Sequence, residues 1–239
     1  MLVTAAFIII GDEVLSGRTA DKNLNFLAAE LTLRGINLKE VRVIADDESE
    51  IILAVNYLRK KFHYVFTSGG IGPTHDDITS ASIAKAFGED LIKNEEAEQI
   101  LIDHYGAENV NDARLKMAFV PRNASLLDNP ISSAPGFIIE NVIVMAGVPK
   151  IMQEMFFAAS INLTGGDKII SKEIRLNLTE SLVASDLEIL QKEFADISMG
   201  SYPFVGGTAL VFRGVDAERI DLASQKMTQI IKNLNGQIN

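Results

Sequence analysis

The segment TSGGIGPTHDDIT, residues Thr67 to Thr79, joins a short apolar run to a helical pattern. Its glycines allow the backbone to approach an anion closely, and a helix that follows such a loop adds its positive N-terminal end. The segment then carries two adjacent carboxylates, Asp76 and Asp77, which would repel a phosphate. It predicts a strand, a loop and a helix in succession. The loop is either a phosphate-binding loop or only a tight turn that needs glycine.

The residues before this segment predict a parallel α/β fold. Apolar runs at 2–10 and 63–68 and an alternating pattern at 38–44 are typical of strands, and apolar stripes at helical spacing separate them. Asp47 and Glu50 form a capping box before the second helix. Strands that alternate with helices favour a parallel sheet with helices on both faces. Ligands bind such sheets beyond the carboxyl ends of the strands, where GDE, ADD and SGGIGPTHDD stand.

The rest of the chain predicts further elements and a second domain. We expect helices at 95–105, 112–119 and 150–159, and two strands that turn at Glu140 and Asn141. NLTGGD, residues 162–167, is typical of a linker. The tail reads as strand, helix, two strands and helix, so we expect a large domain at 1–162 and a smaller α+β domain at 167–239.

Composition excludes several classes of protein. The 239 residues include no cysteine, which excludes disulfides and thiolate zinc sites. The formal charge of −10 argues against a general nucleic-acid binder, and an anion would have to be held by backbone N–H groups, a helix N-terminus or a cation. Without a membrane-length apolar run or an export signal, we expect a cytoplasmic protein that does not bind membranes.

A divalent cation would resolve the conflict between the loop and its carboxylates. Mg²⁺ takes one or two protein carboxylates together with substrate phosphate oxygens. Asp77 as the N-cap of the next helix is the alternative, but a cap explains only one of the two aspartates. His75 and Ser68 are further candidates for contact with phosphate. More carboxylates follow the neighbouring strands, namely Asp12, Glu13, Asp46 and Asp47.

Several motifs in order resemble one known family. GDEVLSG, DKN, the glycine–aspartate segment, NPISSAPGF and MAGVP together resemble the CinA type of the molybdopterin-binding-like (MoaB/MogA) fold, over about residues 3–160. The resemblance implies a three-layer α/β domain with a mostly parallel sheet, followed by a smaller α+β domain. It implies a homo-oligomer, dimer or trimer. Full-length CinA proteins add an amidase domain, which we do not expect here.

The resemblance also implies an activity and a set of site residues. The activity is metal-dependent hydrolysis of ADP-ribose or a related adenine dinucleotide, with Mg²⁺ or a similar divalent cation and with K⁺ as a further candidate. Asp77 and Asp46 would be the catalytic and metal-binding carboxylates. The residues implied to bind substrate are Gly11, Glu13, Asn23, Ser68, Gly69, Gly70, Gly72, Thr79, Pro135 and Gly136.

Two other functions stay open. The protein could bind a pterin or a nucleotide, in connection with molybdenum cofactor biosynthesis, without turning it over. It could also be an assembly or regulatory protein that keeps the fold and no ligand, which an intact glycine–aspartate loop disfavours.

Overall fold

The computed structural model describes residues 1–238, which form two compact units. The large unit is Met1–Gly166 and the small unit begins at Asp167. Residues 163–166 of the predicted linker pack on the large unit, where the Gly166 N–H donates to Gly35 O at 3.1 Å.

The large unit alternates strands and helices along most of its length. Its strands are β1 (Val3–Ile10), β2 (Ile36–Ile44), β3 (Tyr64–Ser68), β4 (Leu91–Lys93), β5 (Phe119–Pro121), β6 (Ser125–Leu127), β7 (Gly136–Ile139) and β8 (Val142–Met145). Its helices are α1 (Asp12–Leu15), α2 (Asn23–Leu33), α3 (Glu48–Lys61), α4 (Thr79–Phe87), α5 (Glu95–Tyr105), α6 (Asp112–Lys116) and α7 (Pro149–Ser160).

One mixed sheet of six strands, in the order β2-β1-β3-β8-β7-β6, forms the middle layer. The strands β2, β1, β3 and β8 are parallel, and β7 and β6 extend the sheet by antiparallel pairing. Successive residues of β1 point to opposite faces: Ile8 packs in the core with α3 and α4, and Phe7 packs in the core with α2 and α7. The predicted three-layer, mostly parallel fold is confirmed.

Local signals place most helix ends correctly. Asp47 caps α3 by accepting from the Glu50 N–H at 3.0 Å. Gly88 ends α4 in the left-handed conformation, and Glu140 turns the β7–β8 hairpin with a φ of 49°.

One predicted helix is wrong in its second half. The pattern predicts helix over 112–119, but α6 ends at Lys116 and Phe119 begins β5. Phe119 pairs with Lys93 in a small antiparallel ladder between β4 and β5. A partner strand distant in sequence therefore overrides the helical periodicity at this place.

The small unit is an α+β layer pair, as predicted. Its elements are β9 (Ile170–Leu176), α8 (Glu180–Glu193), β10 (Ser198–Phe204), β11 (Gly207–Gly214) and α9 (Ala217–Asn233). The three strands pair antiparallel in the order β10-β11-β9, and both helices contribute to one apolar core with them. Across residues 1–238, no helix combines the length and the apolar character that a membrane crossing requires.

Candidate functional site

The candidate site lies at the carboxyl edge of the parallel strands. Segments that follow β1, β2 and β3 meet there, as the sequence predicts. The segment after β8, Ala146 to Pro149, joins them because β8 pairs in parallel with β3. MAGVP is one of the motifs that carry the family resemblance, but none of its residues is among the predicted site residues, since the direction of a strand in a hairpin depends on which neighbour it pairs with.

The glycine loop, residues 69–72, is held in a conformation that requires glycine. Gly69 and Gly70 have φ values of 111° and 69°, in the left-handed region. A Cβ at Gly69 would lie 2.1 Å from Ile10 O, and a Cβ at Gly70 would lie 2.2 Å from Thr79 Oγ1. Neither position therefore accepts a side chain without movement of its neighbours.

Thr79 supports this loop from beneath. It is fully buried, its N–H donates to Gly70 O at 2.9 Å, and its hydroxyl donates to Gly69 O at 3.0 Å. Its geometry is that of a residue that positions the loop, and it is absent from the walls of the cavities described below.

Asp77 is not the cap of α4. The capping position is Ile78, and no side chain caps this helix. Asp77 turns back instead: its Oδ2 accepts from the Thr74 N–H at 2.8 Å and lies 2.6 Å from the Thr74 hydroxyl, whose single proton it shares with Asp76 Oδ1. A Cβ at Gly72 would lie 2.7 Å from the same oxygen, so this glycine makes room for the carboxylate. The alternative interpretation of Asp77 as a helix cap is therefore wrong.

Asp46 is a second carboxylate against the same loop. Its Oδ2 accepts from the Asp12 N–H at 3.0 Å, and its Oδ1 lies 3.6 Å from the position of a Cβ at Gly70. Burial raises the pKa of Asp46, the hydrogen bond from Asp12 opposes this rise, and the charges of Asp12, Glu13 and Asp76 add to it. The site thus concentrates negative charge where a cation would be stabilised.

Asn23 ties the loop after β3 to the loop after β8. Its Nδ2 donates to Ser68 Oγ and to Gly147 O, both at 2.8 Å. The side chain is only 3% exposed, and its Oδ1 has no hydrogen-bond partner within the described part of the chain. Asn23 therefore positions Ser68, and its Oδ1 is a buried hydrogen-bond acceptor that has no partner in the described part of the chain.

The glycine loop and Asp77 line one cavity of about 610 Å³, which we call the site cavity, whereas Asp46, Asn23 and Ser68 are not among the residues of its walls. Its walls include Glu13, Asp77 and the glycine loop from the predicted set. A cavity of this volume accommodates a nucleotide-sized ligand.

Some predicted residues lie elsewhere. Pro135 and Gly136 are buried, and a Cβ at Gly136 would lie 2.3 Å from Val144 O, so this glycine serves strand packing. The neighbouring Ala134 and Ser132 line the cavity instead. Gly11 lies beneath the Glu13 carboxylate, with a Cβ position 2.6 Å from Glu13 Oε2.

His75 does not face the cavity. Its side chain is fully exposed, and its closest charged neighbour is Asp76, at 4.0 Å from Nδ1 to Oδ1. Two cavity residues that periodicity did not single out are Tyr105, at the end of α5, and Met117, just after α6. An apolar or aromatic residue at a helix end carries no local signal that distinguishes a cavity wall from a core position.

Comparison with known proteins agrees with this geometry. Residues 6–162 match the family model described as "Probable molybdopterin binding domain", and residues 168–235 match that of the "FAD synthase, middle domain". A protein of Archaeoglobus fulgidus is 31% identical over 95% of this chain and 98% of its own length. A "Probable FAD synthase" of Caenorhabditis briggsae is 31% identical over 84% of this chain, which spans 43% of that longer relative.

A solved structure extends the comparison to three dimensions. The protein CinA from Thermoplasma acidophilum, whose function is described as unknown, is 36% identical with a TM-score of 0.64. The match covers 66% of this chain and 96% of that one. The resemblance to CinA that the motifs indicate is confirmed, and the chain belongs to the family of the probable molybdopterin binding domain.

Proposed function

We propose that this protein hydrolyses the pyrophosphate of an adenine dinucleotide, ADP-ribose or a related compound such as FAD, with a divalent cation. One observation carries the proposal. Asp77 is held beside Gly72 by Thr74, and its carboxylate lines the site cavity instead of capping α4. A carboxylate kept at a phosphate-binding loop without a capping role fits metal-assisted phosphoryl chemistry.

The donor set suits a cation that is shared with substrate. Within residues 1–238, no group of three or more His, Cys, Asp or Glu side chains is arranged to hold a metal alone. Asp46 and Asp77 border the same glycine loop, and Mg²⁺ commonly takes two carboxylates plus substrate phosphate oxygens. These two residues would hold it, and K⁺ is a further candidate for the site. When bound, such an ion neutralises phosphate charge and makes water a better nucleophile.

Groups of the protein itself would orient the phosphates and the attacking water. Backbone N–H groups of residues 70–72 would orient the phosphates, since positioning and charge stabilisation supply most of the rate in phosphoryl transfer. Both hydrogen bonds of the Asp77 carboxylate go to Oδ2, so in the described part of the chain Oδ1 is available to the water or the cation. Water would add to one phosphorus as the bridging P–O bond breaks, which yields AMP and a second phosphate monoester.

Reversible binding of a pterin or nucleotide is the second candidate. It is favoured by the match to a molybdopterin binding domain and by the absence of a self-sufficient metal cluster among residues 1–238. The same cavity and loop would serve, and only turnover would be missing. Homo-oligomerisation and a cytoplasmic location remain predictions.

Incubation with ADP-ribose or FAD and Mg²⁺, followed by chromatography for AMP, separates the two candidates. We expect AMP with Mg²⁺ and none with a chelator. Calorimetry under both conditions should show weaker dinucleotide binding without the metal, because the carboxylates repel a bare pyrophosphate. Equal affinity with and without chelator would refute the shared cation, and tight binding without AMP would favour the second candidate.

A further inference from the structure

A second cavity, of about 410 Å³, adjoins the site cavity, and we call it the side cavity. The two cavities share Ile71, Gly72 and Asp77, so the glycine loop and its carboxylate form a common wall. The other residues of the side cavity come from α4, β4, α6 and β5, namely Ser80, Ala81, Leu91, Asp112, Lys116 and Phe119.

We propose that the side cavity binds the adenosine half of the substrate while the site cavity binds the other half. The pyrophosphate would then cross the common wall at Gly72 and Asp77. This assignment rests on the proposed function and specifies how the substrate lies.

The chemistry of the side cavity suits a purine. Leu91, Ala81 and Phe119 supply apolar walls, and the half-buried Phe119 ring offers a face on which a planar base can stack. Asp112 adds a carboxylate that can accept from an exocyclic amine. The volume lies within the usual range for small-ligand sites.

Lys116 is the only basic residue among those that line the two cavities. Its Nζ donates to the backbone oxygen of Thr74, the residue that holds Asp77. The ammonium group therefore lies beside the common wall, where the phosphates would pass. The positive charge of Lys116 would offset the repulsion between the carboxylates of the site and the pyrophosphate of the substrate.

The larger site cavity suits the remaining half. Its walls include Ser132 and Glu13, which can bond to hydroxyl groups of a sugar or ribityl chain.

A matched pair of substitutions tests the assignment. Ala81 and Ala134 are both half-buried; Ala81 lines only the side cavity, and Ala134 lines only the site cavity. We expect Ala81→Leu to weaken AMP binding by about tenfold or more in calorimetry with Mg²⁺, and Ala134→Leu to leave it within about twofold. Melting curves of both variants verify that each is folded.

Photolabelling of the wild-type protein with an azido derivative of AMP tests the same point without a substitution. We expect the label between residues 80 and 91, on peptides that hold Ser80, Ala81 or Leu91, which line only the side cavity. Label between residues 129 and 151 would place the base in the site cavity and overturn the assignment.

The outcomes separate this assignment from the hydrolysis. AMP bound in the side cavity with no AMP released from ADP-ribose would support the assignment and refute the hydrolysis. Hydrolysis by the wild type, together with unchanged AMP binding by folded Ala81→Leu, would overturn the assignment alone. A wild-type protein that binds no AMP would also overturn it.

Discussion

Two connections at the carboxyl edge of the sheet, β2 to α3 and β3 to α4, each place an aspartate before a helix. Asp47 is the residue directly before α3 and accepts from the Glu50 N–H. Asp77 stands two residues before the first residue of α4 and bonds to Thr74 instead. The first carboxylate completes a helix end, and the second completes a loop.

The difference teaches that an aspartate before a helix has no single meaning. Capping needs the carboxylate to reach the free N–H groups of the first turn. In the β3–α4 connection, the Thr79 N–H is already paired with Gly70 O, so the loop itself satisfies part of the helix end. Asp77 is therefore not needed to cap α4, and its carboxylate can bond to Thr74 and face the cavities.

The largest expected effect comes from Asp77→Asn. If Asp77 serves the chemistry, hydrolysis of ADP-ribose should fall about 100-fold or more, about 2.7 kcal/mol of barrier, because the amide lacks the charge. The melting temperature should stay near that of the wild type, because an amide oxygen can still accept from Thr74. Turnover and melting are measured on one preparation, with Asp47→Asn as the matched control. Near-normal turnover by folded Asp77→Asn would show that Asp77, like Asp47, has no part in the chemistry.

Gly70→Ala should have the next largest effect, on ligand binding. Gly70 and Gly88 share a left-handed φ, 69° and 67°, but a Cβ meets Thr79 Oγ1 at 2.2 Å in the first case and nothing within 4 Å in the second. Gly70→Ala and the matched control Gly88→Ala should each lose about 1 kcal/mol of folding stability or more from backbone strain.

Only Gly70→Ala should also weaken dinucleotide binding, by about tenfold, because the loop must shift. Urea unfolding and calorimetry on both variants provide the measurement. An equal loss of affinity in the two variants would mean that the conformation of the loop does not matter for binding.

Asp47→Ala should change stability alone. Loss of the cap should cost about 1 kcal/mol of unfolding free energy, and turnover should stay near the wild-type value. Urea unfolding with an activity assay checks both. A turnover loss comparable to that of Asp77→Asn would show that Asp47, like Asp46 beside it, belongs to the site.

The smallest effect is expected from removal of the small unit. A chain that stops after Gly166 keeps both connections and the bond from Gly166 to Gly35, so it should melt cooperatively and bind AMP as the full chain does. Calorimetric melting and AMP titration provide the test. An insoluble or non-cooperative fragment would show that the large unit depends on the small one.

Much of this architecture was accessible from local patterns. Alternation of apolar runs and helical stripes predicted β1, α2, α3 and α5, because burial of one face imposes a period on the sequence. The glycines and aspartates of residues 67–79 marked the edge at which the site lies. Gly69 and Gly70 were predicted to bind substrate, and the left-handed conformations of their backbone explain why glycine stands at both positions.

The same patterns failed where a distant partner decided the outcome. The end of α6 depends on β4, more than 15 residues earlier in the chain, which draws Phe119 into a strand. The contribution of residues 146–149 depends on the parallel pairing of β8 with β3. Pro135 and Gly136 belong to a motif of the family, yet strand packing placed them in the core and Ala134 at the cavity wall.

The amino-acid sequence alone was sufficient for the fold class, the family resemblance and the loop that carries the candidate chemistry. These depend on periodicity and on short-range backbone requirements, which a local segment contains in full. Tertiary structure decided that Asp77 faces the cavities instead of capping a helix, and that two cavities meet at Gly72. The reason is physical: the direction of a side chain and the shape of a cavity depend on groups far apart in sequence, which only the folded chain brings together.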